Sequence, residues 1–305
     1  MPDEEQKNLV MIRFFNRSKG TVESEDVYGE NWLKLIYEKP LGKLLLWVAV
    51  KRALFSRWYG WRMNRPSSKE RIRPFIDKYN LDENEFAADP ESFKSFNEFF
   101  SRKLKPKARP IPKTNDVVVF PADGRHLGIQ SLAANEGFYV KGQQFDLPKL
   151  FQSEELARRF DKGSLIISRL CPVDYHRFHA PVSGKMSEKR LINGSLYSVN
   201  PIALRKNISI FWENKRYLCM IDSESYGTVA QFIVAATCVG SATFTYSRNQ
   251  LVKKGEELGY FSFGGSSVVT LFEQHRLRIS DDLREYTEAN IETYARMGDE
   301  LGRAV

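Results

Sequence analysis

The chain has 305 residues, of which 42% are hydrophobic, and its 46 Lys and Arg outnumber its 38 Asp and Glu, for a net charge of +8. This composition can bury one large core with a modest extension, and it excludes a disordered chain. The three cysteines, Cys171, Cys219 and Cys238, are an odd number with apolar neighbours. They disfavour a disulfide scaffold or a four-thiolate zinc site and favour a reducing compartment.

The start of the chain reads Met-Pro-Asp-Glu-Glu, which lacks the basic and then apolar order of a secretory signal. The longest mostly apolar stretch, residues 44–55, is interrupted by Lys51 and Arg52, whereas a membrane-spanning helix needs roughly 20 apolar residues. We therefore expect a protein that is not secreted and does not cross the bilayer. Its expected place is peripheral, on the cytoplasmic face of the cell membrane.

Residues 31–64 form helix-length apolar patterns with aromatic residues and interleaved Lys and Arg. The wider window of residues 51–115, which ends before Asp116, holds 16 basic residues against 8 acidic ones, about the whole charge excess. Such a helix can lie in a lipid headgroup layer with its basic side chains on phosphates. A solvated basic face or a helix packed on its own domain explains the same pattern, and the charge alone suits nucleic acid as well as phospholipid.

Helices are predicted first in this N-terminal region and then at two places further along the chain. Residues 95–104 have a helical pattern, which Pro106 ends. The other two predicted helices are at residues 146–160 and at residues 286–301, where the second would close the chain.

Strands are predicted beyond a boundary near residue 113, where short β-branched and aromatic runs alternate with turn residues. These runs are at residues 117–120, 164–167, 208–212, 217–221 and 228–237. Because helices do not alternate with the strands, we expect an antiparallel β-sandwich or barrel rather than a parallel sheet. The predicted fold class is α+β, with a helical, basic, membrane-associating region at residues 1–113 and a β-rich domain at residues 114–305.

Residues 264–267 read Gly-Gly-Ser-Ser and lie between two strand-like runs. Taken alone, this is the pattern of an ordinary hairpin turn. The same residues also meet the chemical demands of self-cleavage, because a hydroxyl that follows a glycine can attack the preceding carbonyl and convert the peptide into an ester. Elimination would then break the chain between Gly265 and Ser266 and leave dehydroalanine, which hydrolyses to a pyruvoyl group and ammonia.

Such a reaction needs a base for the hydroxyl and a carboxylate that orients the base. The chain has only four histidines, and two of them, His176 and His179, are close together in the sequence. A lone histidine is usually structural, whereas this pairing raises the odds of a functional role. Asp123 follows an apolar strand and is a suitable carboxylate, although an aspartate in a simple turn explains it equally well.

Together these segments resemble the phosphatidylserine decarboxylase family over most of the chain. The matching segments are Pro-Ala-Asp-Gly at 121–124, Tyr-His-Arg-Phe-His-Ala-Pro at 175–181, Tyr-Ser-Val-Asn-Pro at 197–201, Ala-Thr-Cys-Val-Gly-Ser at 236–241 and Lys-Gly-Glu-Glu-Leu-Gly at 254–259. Residues 27–33 and 94–100 resemble the longer branch of the family, which has an extended N-terminal region. The family's common Leu-Gly-Ser-Thr reads Gly-Gly-Ser-Ser here, so Ser267 carries a second hydroxyl one position too late.

Carried over residue by residue, the resemblance implies that Ser266 is the precursor of a covalent pyruvoyl cofactor. Gly265 is then the residue before the bond that is cut. The resemblance further implies that His179 activates Ser266, that Asp123 orients His179, and that His176 serves the decarboxylation itself.

The implied reaction converts phosphatidylserine to phosphatidylethanolamine and CO2. The pyruvoyl carbonyl condenses with the substrate amine and accepts the electrons of the departing carboxylate, so pyridoxal phosphate is not needed. The expected partners are phosphatidylserine in an anionic membrane surface and, for the fragment 1–265, its own cleaved fragment 266–305. A homodimer stays open, and neither a metal nor nucleic acid is expected.

Other functions stay open at this point. A pyruvoyl-dependent decarboxylase of a soluble amino acid would use the same chemistry, because the sequence does not reveal the shape of the substrate pocket. From a different class, Asp123, His176 and His179 could ligate zinc in a metal-dependent hydrolase. A non-catalytic lipid-binding or nucleic-acid-binding protein would explain the basic residues, but it would leave the histidines and the Gly-Ser segment unexplained.

Overall fold

The computed structural model describes residues 12–25, 53–132, 139–140, 143–236, 242–264 and 266–305. Its strands are β1 (Arg13–Asn16), β2 (Thr21–Ser24), β3 (Val117–Val119), β4 (Gly124–Ile129), β5 (Tyr139–Val140), β6 (Gln143–Gln144), β7 (Ser164–Leu170), β8 (Arg177–His179), β9 (Gly184–Met186), β10 (Arg190–Ile192), β11 (Arg216–Ser223), β12 (Gly227–Ala235), β13 (Ala242–Phe244), β14 (Leu251–Val252), β15 (Glu257–Phe261), β16 (Ser266–Phe272), β17 (Arg278–Ile279), β18 (Glu292–Ala295) and β19 (Glu300–Arg303). Its α-helices are α1 (Ala53–Asn64), α2 (Ile72–Tyr79), α3 (Phe96–Phe100), α4 (Leu147–Phe151), α5 (Glu154–Phe160), α6 (Pro201–Lys206), α7 (Ile210–Glu213) and α8 (Asp281–Glu288). Short 3-10 helices lie at Pro66–Arg71, Glu83–Glu85, Pro90–Ser92 and Pro106–Ala108.

Eleven of the described strands form one large sheet. Its order is β14-β9-β11-β12-β16-β7-β4-β18-β1-β2, with β10 also paired to β11. The pairs are antiparallel, apart from the parallel pair of β1 and β18. Two three-stranded sheets, β13-β15-β8 and β17-β19-β3, and the pair β5-β6 account for the other described strands. The predicted α+β class with an antiparallel core is confirmed.

The central strand β16 is buried on both faces of the large sheet. Val269 and Leu271 pack into one apolar cluster with α4 and α5, whereas Val268 and Phe272 pack into another with β8 and β15. Because side chains alternate along a strand, an unbroken run of apolar residues can fill a core on each side. Each large apolar side chain buried in this way contributes about 1.5–3 kcal/mol.

The helical region builds a third apolar cluster, which is rich in phenylalanine. Phe96, Phe99 and Phe100 of α3 belong to it, together with Phe263 from the segment before β16. Phe263 meets the ring of Phe96 at a centroid distance of 5.2 Å and the ring of Phe100 at 4.9 Å, both edge to face. This packing holds the helical region against the segment that leads into β16.

The helix predicted at residues 95–104 is shorter in the structure, because α3 ends at Phe100. Leu104 instead forms an antiparallel bridge with Phe86. A bridge requires an extended backbone, so this pairing and the proline that follows it end the helix early.

Two elements are of the opposite type to the prediction. A strand is predicted at residues 208–212, but α7 begins at Ile210 and buries Phe211 in the cluster beside α4. A helix is predicted at residues 286–301, but α8 ends at Glu288 and the chain continues as β18 and β19. Tertiary packing overrides local propensity in both places. The other four predicted strands are confirmed as β3, β7, β11 and β12, and the helical interruption as α4 with α5.

The N-terminal region also contributes to the large sheet, since β1 pairs with β18 and with β2. Of the predicted amphipathic stretch at residues 31–64, the part up to residue 52 lies outside the described residues, and the remainder forms α1. The domain boundary near residue 113 stays a prediction.

Candidate active site

Ser266 is the first residue of β16 and lies between two neighbouring strands. Its register partners are Ala235 on β12 and Leu170 on β7, and its side chain is fully buried. A strand that is hydrogen-bonded on both sides cannot shift without breaking both ladders, so Ser266 has a fixed position. Gly264 has a φ of +141°, a backbone conformation that favours glycine. Gly265, the residue before the predicted cut, lies outside the described residues.

The strands on either side of the Gly-Gly-Ser-Ser segment belong to different sheets. β15 lies in the sheet β13-β15-β8, whereas β16 lies in the middle of the large sheet. The chain therefore crosses from one sheet to another at this point instead of turning back on itself. The hairpin reading of the segment does not describe the structure.

The side chain of His176 contacts the side chain of Ser266. Its Nδ1 lies 3.3 Å from Ser266 Oγ, and its Nε2 lies 2.9 Å from the carbonyl oxygen of Cys171. Because a carbonyl oxygen only accepts, Nε2 carries the proton, and Nδ1 presents a lone pair to the hydroxyl. Phe100 stacks on the imidazole with the ring centroids 3.8 Å apart. Burial lowers the pKa of His176 to about 3, so the ring is neutral.

His179 ends strand β8 and has a different environment. Its backbone N–H donates to the carbonyl oxygen of Pro121 at 2.8 Å. Its imidazole is buried, and Nδ1 has no hydrogen-bond partner among the residues that the structure describes. Burial lowers the pKa of His179 to about 4, although the negative charges of Glu257 and Asp123 act in the opposite direction. His179 is therefore also neutral near pH 7.

Asp123 is held by an arginine. Its carboxylate oxygens accept from Arg109 Nε and Nη2 at 2.5–3.1 Å, and Oδ1 also accepts from the backbone N–H of Met297 at 2.8 Å. Arg109 pairs in addition with Glu85 at 3.0 Å. In the described part of the chain, the hydrogen bonds of Asp123 thus go to Arg109 and Met297, while its charge reaches His179. The role of Asp123 in orienting His179 stays a prediction.

A second buried ion pair holds the turn that carries His176. Arg125 Nη1 donates to both carboxylate oxygens of Asp174 at 2.7 Å. Asp174 Oδ2 accepts from the backbone N–H of Cys171 at 2.6 Å, and the backbone N–H of Asp174 donates to the Cys171 carbonyl at 2.9 Å. The same carbonyl accepts from His176 Nε2. The ion pair therefore fixes the group that sets the direction of the imidazole.

Ser267 lies on the opposite face of β16 from Ser266, because neighbouring side chains on a strand alternate. Its Oγ is buried and has no hydrogen-bond partner within the described ranges. The contact with His176 thus distinguishes Ser266 from its neighbour, and the choice of Ser266 as the cofactor precursor stays a prediction.

Sequence reasoning missed Arg109, Arg125 and Phe100 as parts of this site. Arg109 lies in a linker with several other basic residues, and nothing in the sequence separates it from its neighbours. The one sequence feature that pointed to Arg125 was Asp174. A carboxylate beside a predicted catalytic histidine needs a basic partner when it is buried, but the sequence does not say which residue that is.

The zinc alternative has no geometric support. Within the ranges that the structure describes, no group of three or more His, Cys, Asp or Glu side chains is arranged to hold a metal ion. Asp123, one of the three proposed ligands, is occupied by the Arg109 guanidinium, whose charge would repel a cation.

A cavity and a groove lie beside the site. The cavity has a volume of about 160 Å³ and is bordered by Cys171 and by Leu170, the register partner of Ser266. The groove has a volume of about 550 Å³ and is bordered by Phe263. Tyr79 borders both spaces, so they adjoin. The charged residues of this basic groove are Arg62, Glu70, Arg71 and Lys78.

The fold and the site define an enzyme. A neutral histidine presents a lone pair to a buried hydroxyl at a fixed position, which is an arrangement that activates serine. The model of the family described as phosphatidylserine decarboxylase matches residues 96–303. The chain belongs to this family and is a decarboxylase, which confirms the resemblance seen in the sequence.

The chain is similar over nearly its whole length to bacterial proteins named phosphatidylserine decarboxylase proenzyme. It is 43% identical over 295 residues to the protein of Fusobacterium nucleatum, a match that covers 97% of this chain and 98% of the relative. It is 41% identical over 292 residues to the protein of Clostridium kluyveri, with 96% and 99% covered. It is 41% identical over 290 residues to the protein of Chlamydia trachomatis serovar L2, with 95% and 96% covered.

Proposed function

We propose that this chain cuts itself between Gly265 and Ser266 and then converts phosphatidylserine to phosphatidylethanolamine and CO2. The observation that carries the proposal is the 3.3 Å contact between Ser266 Oγ and His176 Nδ1. It occurs at the residue where the family resemblance puts the cofactor precursor. Family membership supports the substrate, because the similar proteins are named for phosphatidylserine and as proenzymes.

Self-cleavage consumes only water. Ser266 Oγ attacks the carbonyl carbon of Gly265, the C–N bond breaks, and an ester replaces the peptide bond. Loss of the α-proton of Ser266 then expels the Gly265 carboxylate and leaves dehydroalanine. Its imine tautomer takes up one water and releases ammonia, which leaves a pyruvoyl group at residue 266. The first two steps each need a proton acceptor beside Ser266.

Two neutral histidines are available for these proton transfers. In the division implied by the resemblance, His179 and Asp123 act in self-cleavage, and His176 acts in decarboxylation. The buried Nδ1 of His179, with no partner in the described part of the chain, and the charge of Asp123 nearby support this division. The direct contact with Ser266 favours a second assignment, in which His176 is the base in both reactions.

The surroundings of Ser266 fit a pyruvoyl group. The position is fully buried, and the rings of His176 and Phe100 stack beside it, which excludes water from the reacting atoms. When bound, the pyruvoyl group supplies a carbonyl that accepts the electron pair left by the departing carboxylate. In the proposed scheme, His176 Nδ1 takes a proton from the substrate ammonium and returns it to the carbon that loses CO2. Such acid–base catalysis is worth about 10²- to 10⁴-fold in rate.

The two fragments would stay together after cleavage. The cut falls at the first residue of β16, and this strand is paired along its length with β7 and nearly so with β12. The fragment 266–305 therefore keeps its place in the large sheet without a covalent link to the fragment 1–265. Oligomeric state, including a homodimer, is a separate question for sedimentation measurements.

The helical side of the molecule supports docking to an anionic membrane. Trp58 and Trp61 on α1 are 50% and 55% exposed. The guanidinium of Arg62 lies over the ring of Trp58 at 5.9 Å, and that of Arg65 over the ring of Trp61 at 4.4 Å. Tryptophan favours the membrane interface, and arginine binds lipid phosphates. In this arrangement the basic groove points toward the membrane and contacts its cytoplasmic surface.

No helix in the described ranges has the length and apolar character needed to span a bilayer. The proposed association is peripheral and rests on the exposed Trp58 and Trp61 and the arginines over them. Sedimentation with vesicles of phosphatidylserine and phosphatidylcholine measures this association directly. Vesicles of phosphatidylcholine alone, without anionic lipid, are the control.

The intact mass of the purified protein tests the proposal. We expect two fragments, 1–265 and 266–305, the second with 40 residues and an amino terminus that is blocked and reacts with carbonyl reagents. Release of CO2 is then measured from phosphatidylserine vesicles and from free serine and tryptophan. Turnover of the free amino acid alone would favour the soluble-substrate alternative, and an active chain that remains unbroken would contradict the whole scheme.

A further inference from the structure

Arg102 is a buried arginine whose charge acts on His176, and it has no role in the scheme above. Only 5% of its surface is exposed, and its guanidinium lies over the rings of Phe99 and Phe86 at 4.8 and 4.9 Å. Its Nε and Nη1 are buried and have no hydrogen-bond partner among the described residues. A buried guanidinium with unused donors is costly, because each unmade hydrogen bond to a charged group leaves its desolvation uncompensated.

The two carboxylates whose charges act most strongly on Arg102 already have arginine partners. Asp123 is held by Arg109 Nη2 at 2.5 Å, and Asp174 is held by Arg125 Nη1 at 2.7 Å. In each of these two pairs, the charge of the carboxylate is balanced by the charge of its arginine. Neither carboxylate is thus paired with Arg102 in the described part of the chain.

Burial alone does not explain this arrangement, as a comparison with Arg216 shows. Arg216 is fully buried as well, and burial lowers the pKa of both guanidinium groups to about 10. The Arg216 side chain, however, donates at 2.6–2.9 Å to the backbone carbonyl oxygens of Leu150, Trp212, Asn214 and Lys149. The fold thus supplies acceptors to a structural arginine and leaves donors of Arg102 without them.

Arg102 lies close to the reacting atoms. Two residues before it, Phe100 stacks on the imidazole of His176. The carbonyl oxygen of Arg102 accepts from Arg177 Nε at 3.3 Å, and Arg177 follows His176 in the chain. After burial, the charge of Arg102 is a further cause that lowers the pKa of His176. An anion bound by Arg102 would thus lie within reach of the Ser266 site.

We propose that Arg102 binds the phosphodiester of the substrate headgroup, and this inference rests on the proposed function. Its unused donors and its buried charge suit an anionic acceptor, and a planar guanidinium binds a phosphate in a forked geometry. The substrate also carries a carboxylate, but that group leaves as neutral CO2. An arginine bound to it would stabilise the ground state against the reaction, whereas the phosphodiester keeps its charge throughout.

The first experiment compares the wild-type enzyme with Arg102→Met and Arg102→Lys in mixed micelles of phosphatidylserine. All three are expected to cut themselves. Arg102→Met should raise KM about 10- to 100-fold, the range of one lost charged hydrogen bond, with kcat little changed. Arg102→Lys keeps the charge but not the fork, so its KM should fall between the other two.

The second experiment uses soluble headgroup probes. Glycerophosphoserine and glycerophosphoethanolamine should both inhibit the wild-type enzyme. Arg102→Met should weaken the inhibition by the two probes by the same factor, since both contain the phosphodiester. If only the inhibition by glycerophosphoserine is weakened, Arg102 recognises the carboxylate, and the inference is wrong.

Arg216→Met is the control for a structural effect. It should lower the melting temperature, because it leaves several buried carbonyl oxygens unpaired, whereas Arg102→Met should keep or raise it. A lower melting temperature for Arg102→Met, with kcat and KM changed together, would show a structural role and overturn the inference. A wild-type enzyme that releases no CO2 from phosphatidylserine would overturn the proposed function instead, so the two failures are distinguishable.

Discussion

The Ser266 site and the basic groove adjoin, because Phe263 borders the groove and packs on Phe100, which stacks on His176. They differ in burial and in the way charge is held. At the site, the ionic and polar groups are removed from water, and Asp123 and Asp174 are held in buried ion pairs. In the groove, Arg62 and the other cations are exposed. A single change should therefore have a large effect in the first region and a small, salt-dependent effect in the second.

The largest effect is expected for the serine itself. Ser266→Ala removes the hydroxyl that attacks Gly265, so the chain should remain uncut and inactive. Ser267→Ala is the matched control, because it removes a buried hydroxyl from the next residue of the same strand, on the other face of the sheet. The measurement is the intact mass together with CO2 release. A cut Ser266→Ala chain, or an uncut Ser267→Ala chain, would move the reaction to a different residue.

Changes of the polar residues separate self-cleavage from turnover. His179→Ala and Asp123→Ala should leave an uncut chain, whereas His176→Ala should be cut but turn over about 10²- to 10⁴-fold more slowly, the usual size of a lost acid–base group. Gel mobility and CO2 release are measured for each variant. An uncut His176→Ala beside a mature His179→Ala would assign the base to the histidine that contacts Ser266. Normal maturation and activity in all three variants would contradict both assignments.

The parts of the fold that the sequence predicted well are those where local pattern and burial agree. β7, β11 and β12 are apolar runs with β-branched residues, and they are strands because they are buried in the large sheet. The predictions failed where a distant partner decides the conformation. Residues 292–295 have a helical pattern when read alone, but they pair with β1 and β4, and their distance from both along the chain hides this pairing.

The site shows the same limit at the level of single residues. Ser266, His176 and Asp123 belong to segments with a recognisable pattern, so they could be proposed as site residues from the sequence. The sequence does not show which histidine faces the serine, because that depends on the turn at Cys171 and on the ion pair of Asp174 with a distant arginine. Partners that meet only in the folded chain leave no local signal.

The buried ion pair of Asp174 and Arg125 should affect stability far more than an exposed one. Asp174→Ala leaves Arg125 buried without its main partner and should lower the free energy of unfolding by about 3–5 kcal/mol. Glu83→Ala breaks the exposed pair of Glu83 with Arg73, which is as short, at 2.6 Å against 2.7 Å, and should have a much smaller effect on stability. Urea unfolding measures both. Similar losses for the two variants would mean that burial does not set the size of the effect.

The buried histidines make stability depend on pH. Burial lowers the pKa of His126 and His176 to about 3 and that of His179 to about 4. Below about pH 6.5 the unfolded chain takes up these protons, whereas the folded chain does not. Lowering the pH therefore lowers the free energy of unfolding, by about 2 kcal/mol for each histidine at pH 5.

Urea unfolding at pH 7 and at pH 5 measures this loss. His126→Gln is the informative variant, because His126 bonds to Ser168 and Ala295 rather than to the reacting serine. It removes one titrating group and should reduce the loss between the two pH values by about 2 kcal/mol. An unchanged loss would mean that His126 is not held neutral by burial.

The smallest effects are expected in the basic groove. Arg62→Gln and Arg71→Gln should each weaken binding to phosphatidylserine vesicles by about 1 kcal/mol, roughly additively, and the difference from wild type should shrink as salt rises. Arg278→Gln removes the same charge from an exposed residue outside the groove and should leave binding nearly unchanged. Activity on a soluble headgroup analogue should be normal in all three variants, because the groove changes only how the substrate is reached. Equal losses for the groove variants and for Arg278→Gln would show that net charge alone attracts the protein to the membrane.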